Sequence, residues 1–223
     1  MEIPRVEVLN LGFVELQDVM GNDLAIVNAA RVSVLGESKG NESDKKLLNY
    51  LMAHRHTSPF EQVQFKFRVK APLVTWWQWM RHRTWSFNMQ SGRYLAFDEE
   101  QFYIPSEWRL QAKSNKQGSD GILNEFSSSE LDDMYRETIS SGFKAYEYAL
   151  SLGVAREEAR LFLPGFAMYY TGVASVNAHN LMHFLRLRMT QEAQYEIRVY
   201  AEAVHSIFEK VLPWTAEAFN GKP

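Results

Sequence analysis

RHRTWSFNMQSGRY, residues 81–94, packs three arginines, a histidine, two serines and an asparagine among aromatics. A guanidinium is a planar fork of donors that matches phosphate oxygens two at a time, so Arg81, Arg83 and Arg93 supply anion-binding chemistry. Ser86, Asn88 and Ser91 can bond a sugar or a base edge. On residue types alone two readings stand: a nucleotide-phosphate site, or cations that decorate a helix C-terminus, where they favour the dipole. Trp85 either packs or stacks on a ring.

Upstream, Pro72 suits the first turn of a helix through LVTWWQWMRHR (73–83), on which Gln78 and Arg81 share a face. Before it, VQFKFRVK (63–70) alternates Val63, Phe65, Phe67 and Val69 with polar residues, which predicts a strand with one buried and one solvated face. Val6, Val8, Val14 and Leu16 mark an earlier strand, and GND at 21–23 turns into a helix carrying Leu24, Val27 and Ala30. Ser43 is expected to cap a helix whose Leu47, Leu48, Leu51 and Met52 form a stripe.

Downstream, FYIP (102–105) reads as a short strand and residues 109–129 as a surface loop or insertion within a single domain, 1–223. From about Ser129 the spacing of Leu131, Met134, Tyr135, Thr138 and Ile139 predicts a helix that Gly153 stops. A shorter helix ends before Pro164. NAHNLMHFLRLR (177–188) and QEAQYEIRVYAEAVHSIFEKVL (191–212) complete a mainly helical second half, which Pro213 closes.

Two arginines lie outside the motif. Arg188 follows Leu181 and Leu185 on one helix line, where a solvated charge is out of place, so it is expected to face a pocket or an interface. Arg160, three residues after Glu157, suits a surface ion pair.

Composition sets the bounds. A chain of 223 residues, 46% hydrophobic, can bury one substantial core. A net charge of −3 argues against a nucleic-acid binder with a broad basic face. There is no long apolar run and no signal-peptide pattern, so a cytoplasmic protein without membrane insertion is expected. No cysteine is present, which removes disulfides, thiolate metal sites and cysteine nucleophiles. His179 and His183 stand four apart, but HNLMH has Asn180 where a zincin carries glutamate, and Arg55 separates His54 from His56; no metal is expected. Rossmann, Walker and serine-hydrolase signatures are missing as well.

The motif resembles the signature of the flavin-dependent thymidylate synthases: R-H-R, seven residues, then S followed by G-R-Y, here Arg81, His82, Arg83, Ser91, Gly92, Arg93 and Tyr94. GFVELQDVMGNDLAIVNAARVS, HTSPFEQVQFKF, KAP, FYIPS, AREEARLFLP, NLMHFLRLR and PWTAEAF are similar to family segments in family order, so the likeness spans nearly the whole chain. It implies an α+β fold, helices packed on an antiparallel sheet, in a homotetramer with active sites between subunits. It also implies FAD as cofactor and reductive methylation of dUMP to dTMP, with 5,10-methylenetetrahydrofolate as one-carbon donor and NADPH as reductant.

Carried over by position, Ser58, Arg81, His82, Arg83, Met89, Asn177 and His183 fall at the flavin and His56 near flavin and folate. Gln78, Arg81, Gln90, Ser91, Gly92, Arg93, Arg160 and Arg188 fall at dUMP, with Arg188 facing the uracil. The unrelated thymidylate synthases activate the pyrimidine with a cysteine thiolate; a flavin route needs none, and Arg188 can stabilise negative charge on the ring. Ser91 has no evident His-Asp partner and is expected to bind rather than attack. Met89 replaces a glutamate common in the family, His183 an asparagine and His179 an arginine. These departures keep a second reading in view, a catalytically impaired member that still binds dUMP or flavin.

Overall fold

The computed structural model describes residues 4–113 and 118–221. In chain order the elements are β1 (Arg5–Val8), β2 (Gly12–Met20), α1 (Asp23–Arg31), α2 (Asn41–Ala53), β3 (Gln64–Pro72), α3 (Leu73–Trp79), β4 (Ser86–Met89), β5 (Arg109–Gln111), β6 (Ser119–Ile122), α4 (Glu125–Ser151), α5 (Arg156–Ala159), β7 (Tyr169–Asn177), α6 (Ala178–Arg188), α7 (Tyr195–Val211) and α8 (Pro213–Asn220). An antiparallel sheet runs β1-β2-β3-β7-β4, and β5 pairs with β6 in a separate hairpin. The fold is α+β, helices on an antiparallel sheet.

β3 is buried at Phe65, Phe67, Val69 and Ala71 and exposed at Gln64, Lys66 and Arg68, as its alternation predicts. Those buried residues meet Trp76, Trp79 and Trp85 and the apolar stripes of α6 and α7, including Leu181, Leu185, Tyr200 and Val204, to form the main core. A second cluster joins Ile139, Phe143 and Tyr146 of α4 to Phe97, Phe102 and Leu163, and Tyr170 packs against both. Glycine makes one close approach possible: a Cβ on Gly12 would overlap the Tyr200 hydroxyl, which donates to the Lys70 carbonyl at 2.6 Å. That bond ties α7 to the sheet.

Several expectations are corrected. Ser43 does not cap α2; the helix starts at Asn41 because Gly40 takes φ 92° and turns the chain earlier, and the Ser43 hydroxyl accepts from Arg31 at 3.3 Å. Pro72 is the last residue of β3 and precedes α3 rather than sitting in its first turn. FYIP is no strand: Phe102 makes an isolated bridge to Met168, and Tyr103 bonds Ala167 and Tyr135 separately. The stretch 109–129 is exposed but ordered where described, since β5 and β6 pair and α4 begins at Glu125, capped by Asn124. Pro213 does not close the helical half; it opens α8, where its missing N–H costs nothing. Trp85 is buried between Phe67 and Phe87, so it packs and offers no face to a ligand.

The N-terminus of α8 is capped from a distance. Leu212 offers no capping side chain. Buried Asp23 takes its place, accepting from Trp214 N and Thr215 N at 3.0 Å each and from the Thr215 hydroxyl at 2.5 Å. Asp23→Ala leaves those donors buried and unpaired, and is expected to cost about 2 kcal/mol in urea unfolding. A loss under about 0.5 kcal/mol would show that water substitutes for the carboxylate.

Candidate active site

α3 ends at Trp79, and the next turn is held by Met80 N–H to Trp76 O at 2.8 Å and His82 N–H to Trp79 O at 2.9 Å. The turn points Arg81 and Arg83 to solvent and His82 inward, edge-on to Phe184 with ring centroids 5.0 Å apart. The arginines therefore lie past the helix rather than on its face.

Arg188, at the last turn of α6, is half-buried on the line of Leu181 and Leu185 that its spacing predicted. Its Nε donates to His82 Nε2 at 2.9 Å, Nη2 to the Gln78 carbonyl at 3.2 Å and Nη1 to Gln78 Oε1 at 3.4 Å. Five guanidinium N–H donors less these three bonds leaves two for a ligand. Burial, then the nearby Arg81 charge, lowers the Arg188 pKa. Burial, then Arg188 and His183, pushes His82 down to about 4, so at neutral pH its Nε2 is a lone-pair acceptor. Gln78, expected at dUMP, has both ends of its amide engaged within the chain, since its Nε2 donates to Gln194 Oε1.

A second group follows β4. Gln90 extends the ladder: its N–H donates to Thr171 O at 2.8 Å and its Oε1 accepts from Thr171 N at 3.2 Å, so the side-chain oxygen is committed to the backbone. Ser91 Oγ accepts from Arg93 N at 3.3 Å. A Cβ on Gly92 would run into the buried Phe97 ring, which fixes glycine there. Arg93 pairs with Glu157 at 2.9 Å in an exposed contact. Arg160 does not pair with the Glu157 carboxylate as expected; its Nε reaches the Glu157 carbonyl at 3.3 Å, because that carboxylate is turned to Arg93.

The third group surrounds a cavity of about 210 Å³ with Leu51, Met52, Phe60 and Met182 as its apolar part and Arg55, His56, Thr57, His179, His183 and Arg186 as its polar part. Ser58 is exposed in the adjoining turn, and Asn177 caps α6 by accepting from Asn180 N at 2.9 Å. Met89 packs against the main core beside Gly172. Among the described residues no ion pair engages Arg55, Arg81 or Arg83, so the surface holds uncompensated positive charge. No hydrogen bond or ion pair among the described residues joins the three groups, and no helix there is long and apolar enough to cross a membrane.

The family model of the thymidylate synthase complementing protein matches residues 15–214. The chain belongs to this family, that of the flavin-dependent thymidylate synthases. A flavin-dependent thymidylate synthase of Thermus thermophilus is 48% identical over 221 residues, 99% of this chain and 80% of the relative. That of Kosmotoga olearia is 45% identical over 215 residues, 96% of this chain and 93% of the relative. Among solved structures, the UMP/dUMP methylase PolB of Streptomyces cacaoi bound with 5-Br dUMP superposes with a TM-score of 0.86 at 37% identity, covering 96% of this chain and 97% of that one.

Sequence reasoning passed over Glu196, Gln194, Tyr103 and Arg109. Buried Glu196 accepts from Tyr103 at 3.1 Å, Arg109 at 2.6 Å and Gln194 at 2.7 Å. The signal was present: Glu196 stands on the apolar line of Tyr200, Ala203 and Ile207, the same kind of misfit that singled out Arg188.

Proposed function

We propose that this family member is an FAD-dependent thymidylate synthase, methylating dUMP to dTMP with 5,10-methylenetetrahydrofolate as one-carbon donor and NADPH as reductant. The observation that carries the reading is Arg188, a half-buried guanidinium fixed on His82 and Gln78 with two donors to spare, in a chain without cysteine. In this reading Arg188 bonds the uracil edge and stabilises negative charge as it develops on the pyrimidine. Arg93, whose exposed pair with Glu157 is worth little, exchanges that carboxylate for the nucleotide phosphate together with Arg160. Ser91, whose hydroxyl already serves the loop, orients the nucleotide and forms no covalent bond.

The residues present suit a flavin dinucleotide: the cavity gives apolar contact for a flat ring, and the unpaired Arg55, Arg81 and Arg83 give charge for its phosphates. Bound FAD supplies the hydride chemistry that this chain's side chains lack. Ser58, Asn177, His183 and His56 would border it, with Arg81, His82 and Arg83; His82 acts from behind, through Arg188. The first and third groups adjoin, with the His82 and His183 rings 6.1 Å apart; the homotetramer whose subunits complete each other's sites rests on the family resemblance. We read residues 1–223 as one cytoplasmic domain, in keeping with two cores that share Tyr170.

A visible spectrum of the purified protein, before and after NADPH and dUMP, tests this. Flavin bands that bleach faster with dUMP present are expected; colourless protein that cannot be reconstituted with FAD would overturn the reading. Met89 in place of a carboxylate favours one variant of it, a member that binds nucleotide and flavin without turnover. Failure to rescue a thymidine auxotroph would select that variant.

A further inference from the structure

We propose that Glu196 is a positioning residue for Arg188, acting through the side-chain amides of Gln194 and Gln78. The inference rests on the dUMP site assigned to Arg188 above.

A carboxylate only accepts hydrogen bonds, so whatever meets it must present a donor. Gln194 meets Glu196 Oε2 with its Nε2 at 2.7 Å, which turns its own oxygen the other way. That oxygen receives the Nε2 of Gln78. Gln78 is left with its oxygen toward Arg188, accepting from Nη1 at 3.4 Å. Reversing either amide would set acceptor against acceptor at one contact and donor against donor at the other, so the acceptor-only carboxylate at one end and the donor-only guanidinium at the other agree on one sense for the whole series. Without the carboxylate, Gln194 would be directed only through Gln78, and Gln78 only by Arg188.

Glu196 is well suited to anchor the series. It is 4% exposed, and Arg109 donates to its Oε1 at 2.6 Å and Tyr103 at 3.1 Å. Burial alone would raise its pKa, but the bonds from Arg109 and Gln194 outweigh burial and hold it below the usual carboxylate range. Arg109 belongs to β5, so the hairpin β5–β6 is wired to the Arg188 site. A rival account makes Glu196 a pin between hairpin and α7. A pin affects stability but is indifferent to which way the amides point.

The test compares wild type, Gln194→Met and the exchange Gln194→Glu/Glu196→Gln, all reconstituted with FAD. Melting temperature, flavin content, dUMP affinity by calorimetry and turnover are measured. Gln194 is only half-buried, so Gln194→Met should fold with its Glu196–Arg109 pair intact. It is expected to lose roughly tenfold in dUMP affinity and in kcat, with flavin content unchanged. The exchange should recover most of both, because the new carboxylate at position 194 accepts from Gln78 and from the new amide at 196, preserving the sense of Gln78. Wild-type affinity and turnover in folded Gln194→Met would overturn the relay, as would an exchange no better than Gln194→Met at an unchanged melting temperature. A wild-type protein that binds FAD but no dUMP would instead overturn the functional reading, and the relay with it.

Discussion

Arg188→Ala is expected to leave FAD bound and to lower dTMP formation by about 10²–10³-fold, the loss typical when one preorganised donor is removed from a developing negative charge. The expectation comes from geometry. The guanidinium is held at three points, so it pays no reorganisation cost when charge appears on the pyrimidine. Partial burial strengthens its field, and the proximity of Arg81 adds to it. Arg188→Lys should recover little, since one ammonium cannot span His82 Nε2, the Gln78 carbonyl and a ligand at once. Single-turnover dTMP formation gives the rate, and flavin absorbance shows that the cofactor remains. Turnover within threefold of wild type would remove Arg188 from the chemistry.

Arg188 is also where the sequence was most informative, and the reason is physical. A charge on an apolar helix line has few explanations, and the line of Leu181 and Leu185 made the misfit visible. The same logic applied to α7 exposes Glu196, but its place in the first turn of the helix makes it look like ordinary first-turn charge. β3 was legible because its apolar residues alternate cleanly, whereas β7, its neighbour in the sheet, was not. Gly172 and Ala174 fill inward positions of β7 where small volume is needed: a Cβ on Gly172 would come within 3.1 Å of the Trp76 ring and 3.0 Å of Met89. Small residues carry little apolar signal, and the strand disappears into its surroundings. The roles of Gln78 and Gln90 were beyond a sequence reading for a related reason. Both amides are consumed by partners, Gln194 and Thr171, that lie far away in the chain and come near only when the fold closes.

Protonation of His82 sets the remaining prediction. Its folded pKa is about 4 against 6.5 for an unperturbed imidazole, lowered by burial, then by Arg188, then by His183. Between those values the unfolded chain binds a proton that the folded chain refuses, so stability rises with pH across the window. The contribution is intact above about pH 6.5 and is lost as pH falls toward 4, at most about 3 kcal/mol. After burial, the groups facing the ring explain the direction: the Arg188 guanidinium donates to Nε2, and the His183 ring lies 6.1 Å away. A protonated His82 would lose the Arg188 bond and set its Nε2 proton against the guanidinium. His82→Gln keeps an acceptor for Arg188 without a titrating proton, and its stability should fall less steeply in this window. Denaturant unfolding of both proteins at several pH values isolates the difference, because every other titrating group is common to them. Activity of the folded protein should hold across this window and fall only as pH nears 4, where the folded ring takes its proton and releases Arg188 from the position in which it meets the pyrimidine. Parallel stability curves would show that His82 is solvated well enough to accept the proton, and Arg188 would then be held by Gln78 alone.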